Sequence, residues 1–282
     1  MVHLVAVGNA RPAAAFDNKY RCSTPPRGWG YLLAPTACFS ATAEADPAHA
    51  QPLSTVNAYT PMNPSPTDPS FPVSTFRRQD ETPDAEFYHH PRFVTHIDDA
   101  AIAAVTQLYR EYFLPDSAVL DLMSSWVSHL PAEVAYRRVV GLGMNAAELR
   151  GNPRLAAHVV QDLNQNPVLP FANEEFDGAA ICVSIDYLTQ PVEVLRELAR
   201  VLRPEAPLVI TFSNRCFPSK AIAAWHSLDD RGHLALLRQY LLAAGGWHGI
   251  ELLDRSPQPA NCSDPLFAVV ARVHPPAEAK GK

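Results

Sequence analysis

Four stretches of this chain end an apolar run on side chains able to hold a ligand. VLDLMSSWVSHLP, residues 119–131, carries Asp121 and then Ser124, Ser125 and Ser128. A carboxylate accepts hydrogen bonds there, and the hydroxyls donate them. VVGLGMN, residues 139–145, ends on Asn145, an uncharged acceptor. Asp162 follows a weaker run at 158–161. Asn214 and Arg215 follow the run at 207–212, and a guanidinium fork suits a carboxylate. The bland alternative makes that pair a helix cap and a surface charge. His96, His129 and His226 are candidate general bases. Cys216 has no sequence neighbour that would activate it as a nucleophile. Asp98-Asp99 and Asp229-Asp230 read as helix starts.

Alternating strands and helices must position these groups. A helix is expected over 100–113, with Ile102, Val105, Leu108, Tyr109 and Tyr112 on one face. Strands are expected at 118–122, 138–142, 158–161, 178–185, 207–212, 248–253 and 266–273, and the unbroken apolar run at 178–185 suits a strand buried on both faces. Helices fall at 191–202, 220–225 and 232–244, the first opened by Pro191 and the last stopped by Gly245-Gly246. Strands separated by helices pair in parallel, which gives a doubly wound α/β domain with a mostly parallel, seven-stranded sheet. The last two strands have no helix between them, which predicts one antiparallel insertion at the sheet edge. A ligand is expected at the carboxyl ends of the first strands.

Two blocks carry a resemblance. LPFANEEFD, residues 169–177, leads into a buried strand, then QPVEVLRELARVLRP, residues 190–204, then another apolar strand. This succession resembles the class I S-adenosylmethionine-dependent methyltransferases of the type 11, ubiquinone/menaquinone-methylating kind, over residues 93–273. The resemblance implies a Rossmann-like fold, S-adenosylmethionine as cofactor and a small-molecule acceptor. It also implies a cofactor site of Asp121, Met123, Ser124, Ser125, Gly143, Asn145, Asp162 and Leu163, with Asn214 and Arg215 toward the acceptor. Asp121 matches the family's first strand-end acid, and Asp162 the acid that contacts the adenine amino group. The three motif glycines are replaced by Met123, Ser125 and Val127. Glycine permits positive φ and close backbone approach, and valine there would be an outlier, so the loop is expected to leave the family's path, with Ser124, Ser125 and Ser128 donating to the cofactor. Gly143 stands where the family has its ribose-binding acid, and Asn145 would substitute. Losing two charge-assisted bonds costs on the order of 2–4 kcal/mol of binding, which would make Gly143→Asp a gain. These departures leave a second reading open, a non-catalytic binding or assembly protein on the same fold. A nicotinamide dehydrogenase would want a glycine fingerprint, which is missing.

Composition narrows the partners. The net charge of −6 provides no basic footprint for nucleic acid. No apolar run approaches transmembrane length. The five cysteines are scattered without a CxxC pair and read as inert thiols, with no metal site. Residues 1–45 are acid-poor, with Arg11, Lys19, Arg21 and Arg27, and read as a transit peptide, chloroplast first and mitochondrion or cytoplasm as alternatives. Residues 46–83 are dense in proline and read as a linker. The domain is then expected over 84–274, with a tail at 275–282.

Overall fold

The computed structural model describes residues 71–259 and 262–275. The transit-peptide reading, most of the linker and most of the tail lie outside those residues. Seven strands form one sheet in the order β3-β2-β1-β4-β5-β7-β6. They are β1 Ala118–Leu122, β2 Arg138–Gly143, β3 Ala157–Val160, β4 Gly178–Cys182, β5 Pro207–Phe212, β6 Trp247–Asp254 and β7 Phe267–Val273. The first five pair in parallel. β7 is antiparallel to both β5 and β6, so the inserted strand lies one place in from the edge.

Two cores sandwich the sheet. Along β1 the side chains alternate, with Ala118, Leu120 and Leu122 packing into one core and Val119 into the other. The first core takes α4, Pro191–Val201, the short α5, Ala223–Ser227, through Trp225, and α6, Asp230–Ala244. In α4 the residues Val194, Leu195, Leu198 and Val201 are buried at helical spacing. The second core takes α2, Asp99–Tyr112. Asp98 caps α2 by accepting from the Ala101 N–H at 2.9 Å, and Asp229 caps α6 by accepting from Gly232 at 2.8 Å. Gly245, at φ 69°, ends α6. β4 ends at Cys182, three residues short of the expected Ile185, where Val183 turns to φ 42°. No helix among the described residues is long and apolar enough to cross a membrane.

Two sequence expectations need correction. A short helix, α3 Ala146–Gly151, connects β2 to β3 where none was expected. The linker reading also runs too far. From Phe71 the chain is a strap bound to the domain, including the single turn α1, Asp84–Phe87. Phe71 and Phe76 pack on Tyr240, with ring centroids 5.1 and 6.0 Å away. Asp80 N–H donates to Ser219 O, and Ala223 N–H to Arg77 O. Lys220, fully buried, donates to Thr82 O at 2.6 Å and lies 3.2 Å from Asp84 Oδ1. Arg78 meets the same carboxylate at 2.7 Å. Proline forbids ladders and helix interiors, but not an extended segment anchored by two aromatic rings and a buried ion cluster.

Candidate functional site

A cleft of about 140 Å³ lies at the carboxyl ends of β1, β2 and β4 and beside the turn after β3, roofed by residues from the strap. Asp121, Met123, Ser124, Ser125, Gly143, Asn145, Asp162 and Leu163 all line it, as does Arg215. Asn214 does not, and its Oδ1 is buried without a partner.

The loop after β1 follows its own path. Met123 adopts φ 57°, a left-handed turn that costs a non-glycine residue about 1 kcal/mol or more. The next left-handed residue of this loop is His129, at φ 50°, so Val127 escapes the strained conformation. Ser124 N–H donates to Leu142 O at 2.8 Å, which lays the loop on the end of β2. Gly143 fits there because a β-carbon would strike Ser124 O.

The serines were expected to donate to a cofactor, and their protons go elsewhere. Ser124 Oγ and Ser128 Oγ donate to Asp121 Oδ2 at 2.6 and 2.7 Å. Ser125 Oγ donates to Glu148 Oε2 at 2.6 Å. Asn152 Nδ2 donates to Ser128 Oγ and to Ser125 O, locking the loop. Burial pushes the Asp121 carboxyl up to about 6 against the opposing pull of the two hydroxyls. Asn145 is likewise consumed. Its Oδ1 accepts from the Ala147 and Glu148 N–H groups as the cap of α3, and its Nδ2 donates to Tyr88 O and His89 O. It is a brace between α3 and the strap, and has no amide proton left for a ligand.

The carboxylate that does stand on the β2 side is Glu148, on the first turn of α3, lining the cleft and 8% exposed. Its Oε1 accepts from Arg92 N–H at 2.6 Å. Only recognition of α3 would have revealed it in the sequence. Asp162 closes a tight turn, Oδ1 accepting from Asn164 N–H at 2.9 Å and Oδ2 from Gln165 Nε2 at 3.0 Å. Ser184, after β4, lines the cleft with a buried hydroxyl that lacks a partner.

The strap adds residues that periodicity did not mark: Tyr88, Arg92 and His96 line the cleft. The Arg92 guanidinium lies 4.6 Å from the Phe87 ring centre and 5.4 Å from that of Phe217. His96 and His129 are both pushed down to about 4, chiefly by burial, with the Arg92 charge adding to the effect on His96. Both are therefore neutral imidazoles at physiological pH, each with one N–H donor and one acceptor nitrogen. His226 is excluded from the cleft lining, its Nε2 lying 2.7 Å from Pro218 O. Arg215 Nε donates to the buried Asp264 at 2.8 Å, a partly buried pair rather than a surface one. Burial pushes the free Cys182 thiol up to about 11.

Comparison with known proteins bears on this geometry. A family model described as a methyltransferase domain matches residues 124–210. No curated protein matches the chain in sequence. Among solved structures, a phosphoethanolamine N-methyltransferase of Haemonchus contortus in complex with S-adenosyl-L-methionine is 13% identical. The match covers 63% of this chain and 53% of that one, at a TM-score of 0.46. An S-adenosylmethionine-dependent methyltransferase of Methanosarcina mazei is 14% identical, covering 59% and 97%, at 0.40. The [4+2]-cyclase SpnF is 16% identical, covering 60% and 80%, at 0.44.

Proposed function

We propose that the cleft binds S-adenosylmethionine and presents it to a small-molecule acceptor, a reading supported by the methyltransferase-domain model that matches residues 124–210 and by the mostly parallel seven-stranded sheet. The observation that carries the reading is the convergence of Asp121, Gly143 and Asp162 on one cleft, from the end of β1, the end of β2 and the turn after β3. The donor set suits an adenosyl group, which offers an amino group and hydroxyls. Asp162 and the backbone of Leu163 would meet the adenine, and the Glu148 carboxylate takes the ribose role that Gly143 and Asn145 cannot fill. The unpartnered Ser184 hydroxyl is a further contact awaiting a ligand. The bound cofactor supplies an electrophilic methyl group on a sulfonium. The protein's part is alignment and exclusion of water, with the strap as roof and the neutral His96 and His129 near the acceptor side.

Calorimetric titration of the full chain with S-adenosylhomocysteine tests this, and no heat at millimolar ligand would reject it. One observation favours a second reading, a non-catalytic binder: the loop after β1 is sealed onto Gly143, with its hydroxyl protons turned inward. That reading expects a folded protein indifferent to S-adenosylhomocysteine. For residues 1–45 the composition supports chloroplast targeting, and a fluorescent-protein fusion of that segment is expected in chloroplasts. A diffuse cytosolic signal would rule it out.

A further inference from the structure

On the acceptor side of the cleft, two guanidinium groups have unmet hydrogen-bonding capacity. Arg92 and Arg215 both line the cleft, and each has an Nη1 atom that is buried and lacks a partner. Arg92 is bound otherwise through Nη2 to Phe87 O at 2.8 Å, and no carboxylate among the described residues lies within ion-pair distance of its guanidinium. Its charge is felt nearby, since it lowers the basicity of His96. Arg215, by contrast, is neutralised by Asp264. Leaving a charged donor buried and unpaired costs more than a neutral one, so a site that keeps two such donors is incomplete without an anion.

The two guanidinium groups, rather than the whole residues, stand apart from the adenosyl side: the Arg92 main chain donates to Glu148, while its side chain turns to Phe87 O and the Phe217 ring. Arg215 follows β5, beyond the strands whose ends carry Asp121, Gly143 and Asp162. Arg92 comes from the strap and packs over Phe217, two residues after Arg215. The aromatic rings of Phe87, Tyr187 and His96 pack against Phe217 in turn. We propose that Arg92 and Arg215 form a subsite for the carboxylate of the methyl acceptor, a small organic monoanion whose body lies against this aromatic cluster. Two free donors match the two oxygens of one carboxylate, and the single unbalanced charge on Arg92 matches one negative charge. The proposal rests on the methyltransferase reading for the word acceptor; the anion subsite itself does not.

The test separates the two. The full chain is titrated calorimetrically with S-adenosylhomocysteine, and separately with benzoate as the carboxylate probe, with and without the nucleoside present. The expected result is saturable benzoate binding, weakened about tenfold or more by Arg92→Gln and by Arg215→Gln. Arg92→Lys, which keeps the charge and the packing stem but loses the fork, should lose part of it. S-adenosylhomocysteine affinity should be unchanged in all three, and thermal melts confirm folding. Benzoate affinity that is equal in wild type and variants, or absent in wild type at about 10 mM, overturns the subsite. A parallel loss of both ligands also overturns it, because the carboxylate being read would be the cofactor's own amino-acid end. Arginine-dependent benzoate binding with no S-adenosylhomocysteine binding upholds the subsite and sinks the methyltransferase reading.

Discussion

A β-carbon placed on Gly143 would overlap the main-chain oxygen of Ser124, because the loop after β1 hydrogen-bonds to the end of β2 at Leu142. The substitution Gly143→Asp, which the family pattern suggests as a restored ribose acid, therefore meets backbone rather than open cleft. Backbone cannot swing aside as a side chain can. Gly143→Ala should destabilise the domain by about 1–3 kcal/mol in urea unfolding, and Gly143→Asp by at least as much, with no gain in S-adenosylhomocysteine affinity. Tighter binding by a fully folded Gly143→Asp protein would show that the loop has a second position.

Asp162 offers a cleaner probe of the cofactor side. Asp162→Asn keeps the acceptor for the Asn164 N–H, and so keeps the turn. It removes the charged acceptor from the cleft. The expected result in calorimetry is an affinity loss of about 1–3 kcal/mol at unchanged thermal stability. Equal affinities would mean that the adenine does not reach this residue.

The strap depends on Lys220. Its Nζ lies 3.3 Å from Asp80 Oδ2 and 3.2 Å from Asp84 Oδ1, while the side chain is fully buried. Lys220→Met leaves Asp84 with Arg78 and the Asn164 amide, and breaking a buried pair costs about 3 kcal/mol or more. Limited proteolysis of wild type should leave the segment between residues 77 and 88 uncut. In Lys220→Met, cleavage between residues 77 and 88 should come first. Identical digestion patterns would mean that the aromatic anchors Phe71 and Phe76 suffice.

Stability should fall as the pH rises from about 6.5 to 8, and Asp186 is the reason. Burial pushes its carboxyl from 3.8 up to about 8, and its Oδ2 has no partner. The native protein holds that proton across a range in which the unfolded chain has lost it, so raising the pH favours unfolding. Asp121 acts in the same sense, but only up to about pH 6. His96 and His129, pushed from 6.5 down to about 4, act oppositely and only on the acid side. Above pH 6.5 the slope from Asp186 remains. Melting temperatures of wild type should decline from pH 6.5 to 8, and those of Asp186→Asn should stay level. A shared decline in both proteins would place the titrating group elsewhere.

The sequence by itself determined the frame. Largely apolar runs, interrupted by Asp121 in β1 and Thr211 in β5, marked both strands to the residue, because strands buried on both faces are mostly apolar. The caps Asp98 and Asp229 and the terminator Gly245 marked their helix ends by local chemistry alone. Asp121 and Asp162 were legible for the same reason, since each follows or ends a strand recognised on its own terms. The tertiary structure alone decided how their neighbours are used. The hydrogen bonds that consume Asn145, Ser124 and Ser125 run to Tyr88, Asp121 and Glu148, and no periodicity records which donor finds which acceptor. The strap carries no repeating pattern, because it is held by a few anchors rather than by a ladder or an apolar face. Its residues Arg92 and His96 line the cleft, and the strap that carries them is tied down by Lys220 and Asp84, which meet across 136 positions of chain, a pairing that burial dictates and sequence spacing does not.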